Sequence, residues 1–277
     1  MERERLTITL RKDILKQLDH LIDGITLRNR SHAIESFLER ALMPKVKQAL
    51  ILAGGEGVKM RPFTYEIPKA LIPVHGKALL EYLVESLRES DVRNIVIAIG
   101  YLGDRIKEHF GDGRKFGVSI KYSEEEKPLG TAGAIRQARR LLDPDTFIVT
   151  HGDILVDMDF QGLATFHREQ GTLATIALTT ASETSAFGIV RLRGSQIVEF
   201  IEKPEKEKVT SLLVNSGIYV FEAEIFKVIS KGAVVMLEDI FPILAKENKL
   251  SGFPFEGRWF DVSTPQNYER AINLWRK

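Results

Sequence analysis

The stretch ALILAGGEG, residues 49–57, decides the fold, because an unbroken apolar run leads directly into three glycines. Such a run is typical of a strand that is buried on both faces of a parallel sheet. Glycines after the strand let backbone N–H groups approach a phosphate, and Lys59 and Arg61 add positive charge. The spacing matches neither a Walker A loop nor G-x-G-x-x-G, so a tight structural turn is an equal alternative.

The chain after Pro44 continues this alternation of apolar runs and amphipathic helices. Apolar runs recur at 95–99, 147–149, 173–178 and 213–221, and helical stretches lie at 78–90, 102–110 and 131–142. Buried strands that alternate with helices predict an α/β fold, with a Rossmann-like, mostly parallel sheet sandwiched by helices. Several strands follow one another over 173–221 with less helix between them, so we expect the sheet to be mixed there.

A different pattern precedes Pro44 and predicts a small β-α-α module. Residues 5–10 alternate polar and apolar side chains, which indicates a half-buried strand. Helical spacing follows, with Gly24 expected to end the first helix and Ser31 expected to cap the second. Proline ends that helix because it disfavours helical backbone in the residue before it. We therefore predict two domains, residues 1–44 and 45–277.

The apolar face of the strand over 5–10 needs a partner, and the simplest partner is the same strand of a second chain. The outward residues would then be Arg5, Thr7 and Thr9, whose side chains suit base edges in the major groove. Residues 4–42 resemble the ribbon-helix-helix family, which implies a homodimer that binds double-stranded DNA through those three residues. A dimerisation arm without DNA binding is the alternative, since residues 1–47 carry ten basic and seven acidic side chains, a modest excess.

The composition narrows the class of protein. The 277 residues have a net charge of +1, so whole-chain charge indicates no polyanionic partner. The chain has no cysteine, which excludes disulfides, thiolate metal sites and a cysteine nucleophile. The charged N-terminus is unlike a signal peptide, and no apolar run approaches a membrane span, so we expect a cytoplasmic protein without a membrane partner.

Residues 52–64 and 68–77 together resemble the opening motifs of the sugar-phosphate nucleotidyltransferase family, LAGGxGTRLxPLT and KPLLPVxGKP. Further segments resemble that family in the same order, at 128–135, 149–153, 187–190, 202–204, 215–221 and 259–265. The resemblance covers about residues 47–275. The loop at 129–135 is similar to those of mannose-1-phosphate guanylyltransferases, while UTP or dTTP with glucose 1-phosphate stays open.

The resemblance implies an enzyme that joins an NTP to a sugar 1-phosphate and releases pyrophosphate, with Mg²⁺ as cofactor. It implies catalytic roles for Lys59, Lys69 and Asp153, and Mg²⁺ ligands at Asp153 and Asp261. Nucleotide-binding roles fall on Leu52, Ala53, Gly54, Gly55, Gly57, Arg61, Gly130 and Thr131, and sugar-binding roles on Gly188, Glu202, Lys203 and Asn215. We expect His151 to neighbour the site without catalysing, and Asp157 and Asp159 to lie in a solvated turn or helix cap.

The important departure from the family pattern is Lys59, which stands where the family has arginine, and Ala70 in place of proline is a milder change. Lysine keeps the positive charge but lacks the bidentate fork of a guanidinium, and Arg61 is a candidate to supply the missing contact. This change keeps a second function open. In that alternative the chain is a transcription regulator whose transferase domain is a catalytically weak sensor of nucleotide or sugar phosphate.

Overall fold

The computed structural model describes residues 4–42, 45–181, 183–205, 207, 209–232 and 234–275. The chain forms two compact units, Met1–Pro44 and Lys45–Lys277. We call them the N-terminal unit and the body.

The N-terminal unit contains two helices, α1 (Lys12–Leu21) and α2 (Arg30–Leu42). Residues 4–11 belong to no helix or strand. The strand predicted over 5–10 is therefore not formed within one chain, since a strand needs a neighbour to accept and donate its backbone hydrogen bonds. Two helix ends also differ from prediction. The first helix stops at Leu21, before Gly24, and Asn29 rather than Ser31 caps the second, its Oδ1 accepting from the His32 N–H at 2.9 Å.

The body follows a strand–helix order. Its strands are β1 (Gln48–Ala53), β2 (Pro73–Val74), β3 (Lys77–Ala78), β4 (Asn94–Ile99), β5 (Ser119–Glu124), β6 (Phe147–His151), β7 (Ile154–Val156), β8 (Ala174–Thr180), β9 (Ile189–Arg193), β10 (Gln196–Ile201), β11 (Leu213–Phe221), β12 (Leu250–Pro254) and β13 (Trp259–Asp261). Its helices are α3 (Leu79–Glu89), α4 (Gly103–Phe110), α5 (Thr131–Ala138), α6 (Phe160–Gln170), α7 (Ile225–Val228), α8 (Leu237–Lys246) and α9 (Pro265–Leu274).

Nine strands form one mixed sheet in the order β5-β4-β1-β6-β11-β8-β12-β10-β9, with a further pairing of β11 and β9. The first four strands are mutually parallel, and antiparallel pairing begins where β11 meets β6. The predicted mixing over 173–221 is confirmed. The prediction of a mostly parallel sheet is wrong beyond β6, where only β12 and β8 pair in parallel. β9 and β10 follow each other directly and pair as an antiparallel hairpin, whereas parallel neighbours need a crossover connection.

Helices cover both faces of the sheet, as the apolar runs predict. In β1, Leu50 packs into the core beneath α5 and α8, while Ala49 and Ile51 pack on the opposite side with α3, α4 and α6. A smaller cluster joins α9 to the β7–β13 pair through Leu155, Val262 and Ala271. Among the described residues, no helix is both long and apolar enough to cross a membrane.

Candidate active site

The site lies at the carboxyl ends of β1 and β6, where open α/β sheets bind their ligands. The two strand ends are tied together, because the Gly152 N–H donates to the Leu52 carbonyl at 2.9 Å. Two cavities open there. The first, about 300 Å³, follows the glycine turn after β1, and the second, about 470 Å³, contains most of the acidic residues. We call them the glycine cavity and the carboxylate cavity. Only His151 and Asp153, of the described lining residues, border both.

Six of the eight residues expected to bind nucleotide line the glycine cavity, namely Leu52, Ala53, Gly54, Gly55, Gly130 and Thr131. The close approach of two loops requires glycine at position 54. A Cβ there would lie 3.0 Å from Glu125 Oε1 and 3.3 Å from the Gly100 nitrogen. The turn therefore presents bare backbone to the cavity, as phosphate binding requires.

The loop at 128–131 forms the opposite wall. Gly130 has a φ of 76°, and a Cβ there would lie 2.5 Å from the Val235 carbonyl oxygen, so this position requires glycine. The Thr131 hydroxyl accepts a hydrogen bond from the Leu237 N–H at 2.8 Å. That hydroxyl therefore holds the segment before α8 in place and leaves the loop backbone to face the cavity.

Gly57 and Arg61, also expected to bind nucleotide, line neither cavity. Gly57 has a φ of 62°, and its carbonyl accepts from the Thr64 hydroxyl at 2.9 Å, so it shapes the turn. The Arg61 guanidinium donates to Glu56 at 3.1 Å and lies over the Tyr65 ring. Arg61 therefore reaches the glycine cavity only through Glu56, which lines it, and its role in nucleotide binding stays a prediction.

All four expected sugar-binding residues, Gly188, Glu202, Lys203 and Asn215, line the carboxylate cavity. Gly188 is packed so closely that a Cβ would lie 2.5 Å from the Phe200 ring and 2.8 Å from Glu202 Oε2. Its carbonyl accepts from the Asn215 N–H at 2.8 Å, which joins β11 to the start of β9. Lys203 Nζ lies 3.0 Å from Glu202 Oε1, yet burial raises the pKa of Glu202. These residues form one polar wall.

Asp153 and Asp261 come together although 108 positions separate them in the chain. The cause is the β7–β13 pair, in which Asp261 lies opposite Ile154 and the Val262 N–H donates to the Asp153 carbonyl at 2.9 Å. Lys69 donates a hydrogen bond to the Asp153 carboxylate. Lys59 lines the same cavity as both carboxylates.

The two carboxylates differ in their electrostatics. Burial opposes ionisation of Asp153, but the positive charge of Lys69 outweighs burial and lowers the pKa of Asp153. Burial and then repulsion by Asp153 raise the pKa of Asp261. Burial would lower the pKa of Lys69, but attraction by both carboxylates raises it. Two adjacent buried carboxylates share one ammonium group, so the site has negative charge that a cation would neutralise.

The donor set fits Mg²⁺ without a full protein cage. Among the described residues, no group of three or more histidine, aspartate or glutamate side chains is placed to hold a metal. Mg²⁺ commonly takes only one or two carboxylates and completes its shell with water and substrate phosphates. Asp153 and Asp261 are such a pair.

Two other acidic residues lie outside the cavities. Asp157 forms an ion pair with Arg258 at 3.1 Å and is mostly exposed, and Asp159 caps α6 by accepting from the Gln161 N–H at 3.0 Å. The expectation of a solvated turn and a helix cap is confirmed.

The sequence reasoning missed six polar or flexible lining residues, namely Glu125, Glu183, Met236, Glu238, Gln266 and Asn267. Glu125 follows β5, the next strand after β4, and its Oε2 accepts from the Leu129 N–H at 3.1 Å. Burial raises its pKa. The only signal for Glu125 was its place directly after the strand SIKYSE, which the apolar pattern alone did not mark. Gln266 and Asn267 are brought in by α9, through long-range packing.

The comparisons with known proteins agree with this geometry. The sequence model of the family described as Nucleotidyl transferase matches residues 48–277, which is nearly the whole body. The chain belongs to the nucleotidyl transferase family. The glycine turn, Asp153 and Asp261 all lie in the matched part.

Two curated relatives have different specificities. The chain is 34% identical over 233 residues to the mannose-1-phosphate guanylyltransferase catalytic subunit beta of Xenopus tropicalis. It is 36% identical over 245 residues to a UTP–glucose-1-phosphate uridylyltransferase of Synechocystis. These matches cover 82% and 81% of this chain but only 64% and 62% of the relatives. The chain therefore spans somewhat less than two thirds of their length.

Solved structures of nucleotidyl transferases share the fold. A Bacillus anthracis protein, provisionally assigned as a glucose-1-phosphate thymidylyltransferase and crystallised with sucrose, superposes with a TM-score of 0.76 at 27% identity, over 82% of this chain and 94% of that one. A UDP-glucose pyrophosphorylase complexed with UDP-glucose gives a TM-score of 0.73 at 22% identity, over 82% and 97%. The mixed α/β body is thus the nucleotidyltransferase fold.

Proposed function

We propose that the body transfers a nucleoside monophosphate from an NTP to a sugar 1-phosphate. The observation that carries this proposal is the meeting of Asp153 and Asp261 at the border of two cavities of suitable size and lining. One cavity offers bare backbone and the other offers polar side chains, as a nucleotide and a sugar respectively require.

The reaction must bring two anions together. An oxygen of the sugar phosphate attacks the α-phosphorus of the NTP, a new P–O bond forms, and the α–β bridging bond breaks. Pyrophosphate leaves with the electron pair of that bond. Little covalent chemistry is required of the protein, so catalysis depends on position and on compensation of negative charge.

Lysines on both sides of the junction supply that compensation. Lys69 lines the glycine cavity, and Lys59 and Lys203 line the carboxylate cavity. We expect Lys69 to exchange part of its contact with Asp153 for a nucleotide phosphate. Mg²⁺, held by Asp153 and Asp261, would stabilise charge on the phosphates. The contact with Lys69 also stabilises the ionised form of Asp153, so we expect these two side chains to hold each other in place before substrates bind.

The substrate pair we favour is GTP with mannose 1-phosphate. The support is the guanylyltransferase relatives and the similar loop at 129–135. The Synechocystis relative keeps UTP with glucose 1-phosphate as the second pair. Both pairs use the same phosphate chemistry and differ in the base and the sugar.

The test is a matrix of GTP, UTP, dTTP and ATP against mannose and glucose 1-phosphates, with Mg²⁺ and with pyrophosphate release as the readout. We expect one or two pairs to turn over far above the rest, and EDTA to abolish the signal. Absence of turnover with every pair would remove the enzyme proposal. It would favour the regulator alternative, whose only sequence support is Lys59 in place of arginine.

We further propose that the N-terminal unit dimerises and binds double-stranded DNA as a ribbon-helix-helix module. The support is that residues 4–10 of the N-terminal unit have no neighbouring strand within the described part of a single chain. Leu6, Ile8 and Leu10 are exposed, and no backbone hydrogen bond joins residues 4–10 to any other described residue. Pairing with the same segment of a second chain would satisfy the backbone and cover these side chains, leaving Arg5, Thr7 and Thr9 outward.

A gel shift of the full chain with genomic fragments, repeated over a range of salt, tests DNA binding. We expect a retained fragment whose affinity falls steeply as salt rises. Arg5→Ala should weaken binding of that fragment at least ~10-fold by removing a base contact. If no fragment is retained at any moderate salt while the chain is dimeric, the unit is a dimerisation arm only.

A further inference from the structure

His151 is placed where the two substrates must meet. It is the last residue of β6, lies two positions before Asp153, and pairs with Leu52 at the end of β1. Together with Asp153 it borders both cavities. Any group that contacts its ring from the cavity side therefore lies close to the transferred phosphorus.

The Nε2 atom of His151 is buried and has no hydrogen-bond partner among the residues that the structure describes. Buried side-chain nitrogens are almost always paired, and an unpaired one costs about 1–3 kcal/mol. The other such atom, the indole nitrogen of Trp275, lies in the apolar cluster beneath α9. His151 alone combines an unpaired nitrogen with a position at the site.

The neighbours of the imidazole place it on the sugar side. A Cβ on Gly217 would lie 3.2 Å from His151 Cδ2, so the glycine makes room for the ring. The Tyr219 ring lies 6.1 Å away, centre to centre. Gly217 and Tyr219 line the carboxylate cavity and not the glycine cavity. The Tyr219 hydroxyl accepts from Asn215 Nδ2 at 3.0 Å and makes no hydrogen bond to His151 Nε2, so that nitrogen needs another partner.

A sugar hydroxyl suits that nitrogen better than a phosphate does. A hydroxyl donates and accepts, so it pairs with either tautomer of a neutral imidazole. The phosphate has Lys59, Lys69 and Lys203 in the lining of the two cavities. At the junction of the cavities, the hydroxyl nearest the phosphate on C1 is the one on C2.

We infer that His151 is a specificity-determining residue whose Nε2 hydrogen-bonds the C2 hydroxyl of the sugar 1-phosphate. This inference rests on the proposed function. Glucose and mannose differ only in configuration at C2, so a group that contacts this hydroxyl distinguishes the two sugars named among the relatives. His151 would then select the sugar without taking part in bond making.

Three substitutions test the role of the nitrogen position. In His151→Gln the terminal amide reaches about as far as Nε2, in His151→Asn it reaches only as far as Nδ1, and His151→Leu has no polar atom. We expect Leu and Asn to raise the KM for the preferred sugar 1-phosphate about 10-fold while the KM for the NTP changes less than about 2-fold. Gln should restore most of the loss. Melting temperatures of the three variants check that each is folded.

A 2-deoxy sugar 1-phosphate gives the decisive comparison, because it lacks the proposed partner. Wild type and His151→Leu should use it with equal kcat/KM. If the Leu variant loses the same factor with the 2-deoxy substrate, the nitrogen contacts the phosphate or has only a structural role, and the inference is overturned. An unchanged sugar KM in both Leu and Asn would overturn it as well.

A binding measurement separates this inference from the proposed function. In the full chain labelled with ¹⁵N-histidine, the His151 Nε2 signal is identified by its loss in His151→Gln. We expect mannose or glucose 1-phosphate to shift that signal and the 2-deoxy compound to leave it in place. A shift without turnover would remove the enzyme proposal but keep the contact, and turnover without a shift would do the reverse.

Discussion

The N-terminal unit and the body treat apolar side chains in opposite ways. In the body, Leu50, Ile51 and Phe147 have no exposed surface, and two clusters of buried side chains fill both faces of the sheet. In residues 4–38 only Leu18 and Ala33 are buried, whereas Leu6 is 79% and Ile25 is 84% exposed. Short chains cannot bury enough apolar surface alone, and we propose that a second copy covers the exposed apolar side chains of the N-terminal unit.

This difference in burial corresponds to the two functions that we propose, one for each unit. The groups that we assign to the reaction lie within one body, and each has its supports in the same chain. The groups that we assign to DNA lie in the N-terminal unit, which, in our proposal, a second copy would complete. Variants in the body should therefore change turnover and leave assembly intact, and variants in the N-terminal unit should do the opposite.

The largest effect is expected from Asp153→Asn, which removes the charge at the junction of the cavities and keeps the side-chain shape. Turnover should fall at least ~10³-fold, because the carboxylate that would hold the cation and pair with Lys69 is lost. Steady-state pyrophosphate release is the measurement, and the elution volume of the chain should not change.

The matched control for this carboxylate is Asp157→Asn. Asp157 lies four residues later and pairs with Arg258 outside both cavities. We expect turnover within about 2-fold of wild type, because exposed ion pairs contribute little. A comparable loss in both variants would mean that a general change of charge, rather than the junction, controls the rate.

The second largest effect is expected from Ile8→Asp in the N-terminal unit. Ile8 is exposed in the single chain, so the change should cost little there. In a paired ribbon it would bury a carboxylate, and dimerisation should weaken at least ~100-fold. Light scattering over a concentration series measures the shift, with turnover unchanged.

Thr7→Ala is the control for assembly, because Thr7 would lie on the opposite face of the ribbon. This variant should remain dimeric and lose DNA affinity only. A wild-type chain that is monomeric at 100 μM and above, on the order of the concentrations that support weak complexes, would contradict the assignment of Leu6 and Ile8 to a dimer.

Local sequence patterns predicted the elements of the body better than their order in the sheet. Apolar runs marked β1, β4, β6, β8 and β11, because strands buried on both faces are rich in apolar side chains. The insertion of β12 between β8 and β10 depends on pairings between distant segments, and a local sequence pattern does not reveal such pairings. The same limit applies to residues 5–10, whose pairing would lie between chains.

For the candidate site, too, the sequence predicted some residues and missed others. Glycines 54, 130 and 188 were found from the glycine-rich turn and the family motifs, and close approaches in the structure explain why glycine stands at each position. The direction of the Arg61 side chain was not predicted, because spacing cannot tell which way a side chain turns after a short 3₁₀ turn, here toward Glu56. Glu125 was missed because β5 at the sheet edge has polar residues at alternate positions and did not stand out as a strand.

A third, smaller effect is expected on the pH dependence of stability, at a polar network whose members all belong to the body. His167 has no exposed surface, and its ring contacts Thr175 Oγ1 at 2.7 Å and Glu222 Oε1 at 3.0 Å. Burial is the main influence and lowers the pKa of His167, against the opposing charge of Glu222. In the unfolded chain the pKa of this histidine is about 6.5, which is higher than its pKa in the folded chain. The contribution of His167 to the free energy of unfolding is therefore complete above about pH 6.5 and is lost as the pH drops below that value.

Urea unfolding at several pH values measures this loss. Between the two pKa values the slope from one such group is at most ~1.4 kcal/mol per pH unit. His167→Gln keeps polar atoms but no titrating proton, so its slope should be shallower than that of wild type over pH 5–6.5. Equal slopes would mean that other groups account for the acid sensitivity of the body.

The smallest effect is expected from Asp159→Ala, which removes the cap of α6. The carboxylate accepts from the Gln161 N–H at 3.0 Å, and loss of such a cap costs about 1 kcal/mol. Turnover should be unchanged, because Asp159 lines neither cavity. Asp159→Asn is the control and should recover most of the stability, since an asparagine side-chain oxygen caps nearly as well. If turnover fell in Asp159→Ala while unfolding in urea was unchanged, the five residues between Asp153 and Asp159 would belong to the site, and the assignment of Asp159 to helix capping alone would be wrong.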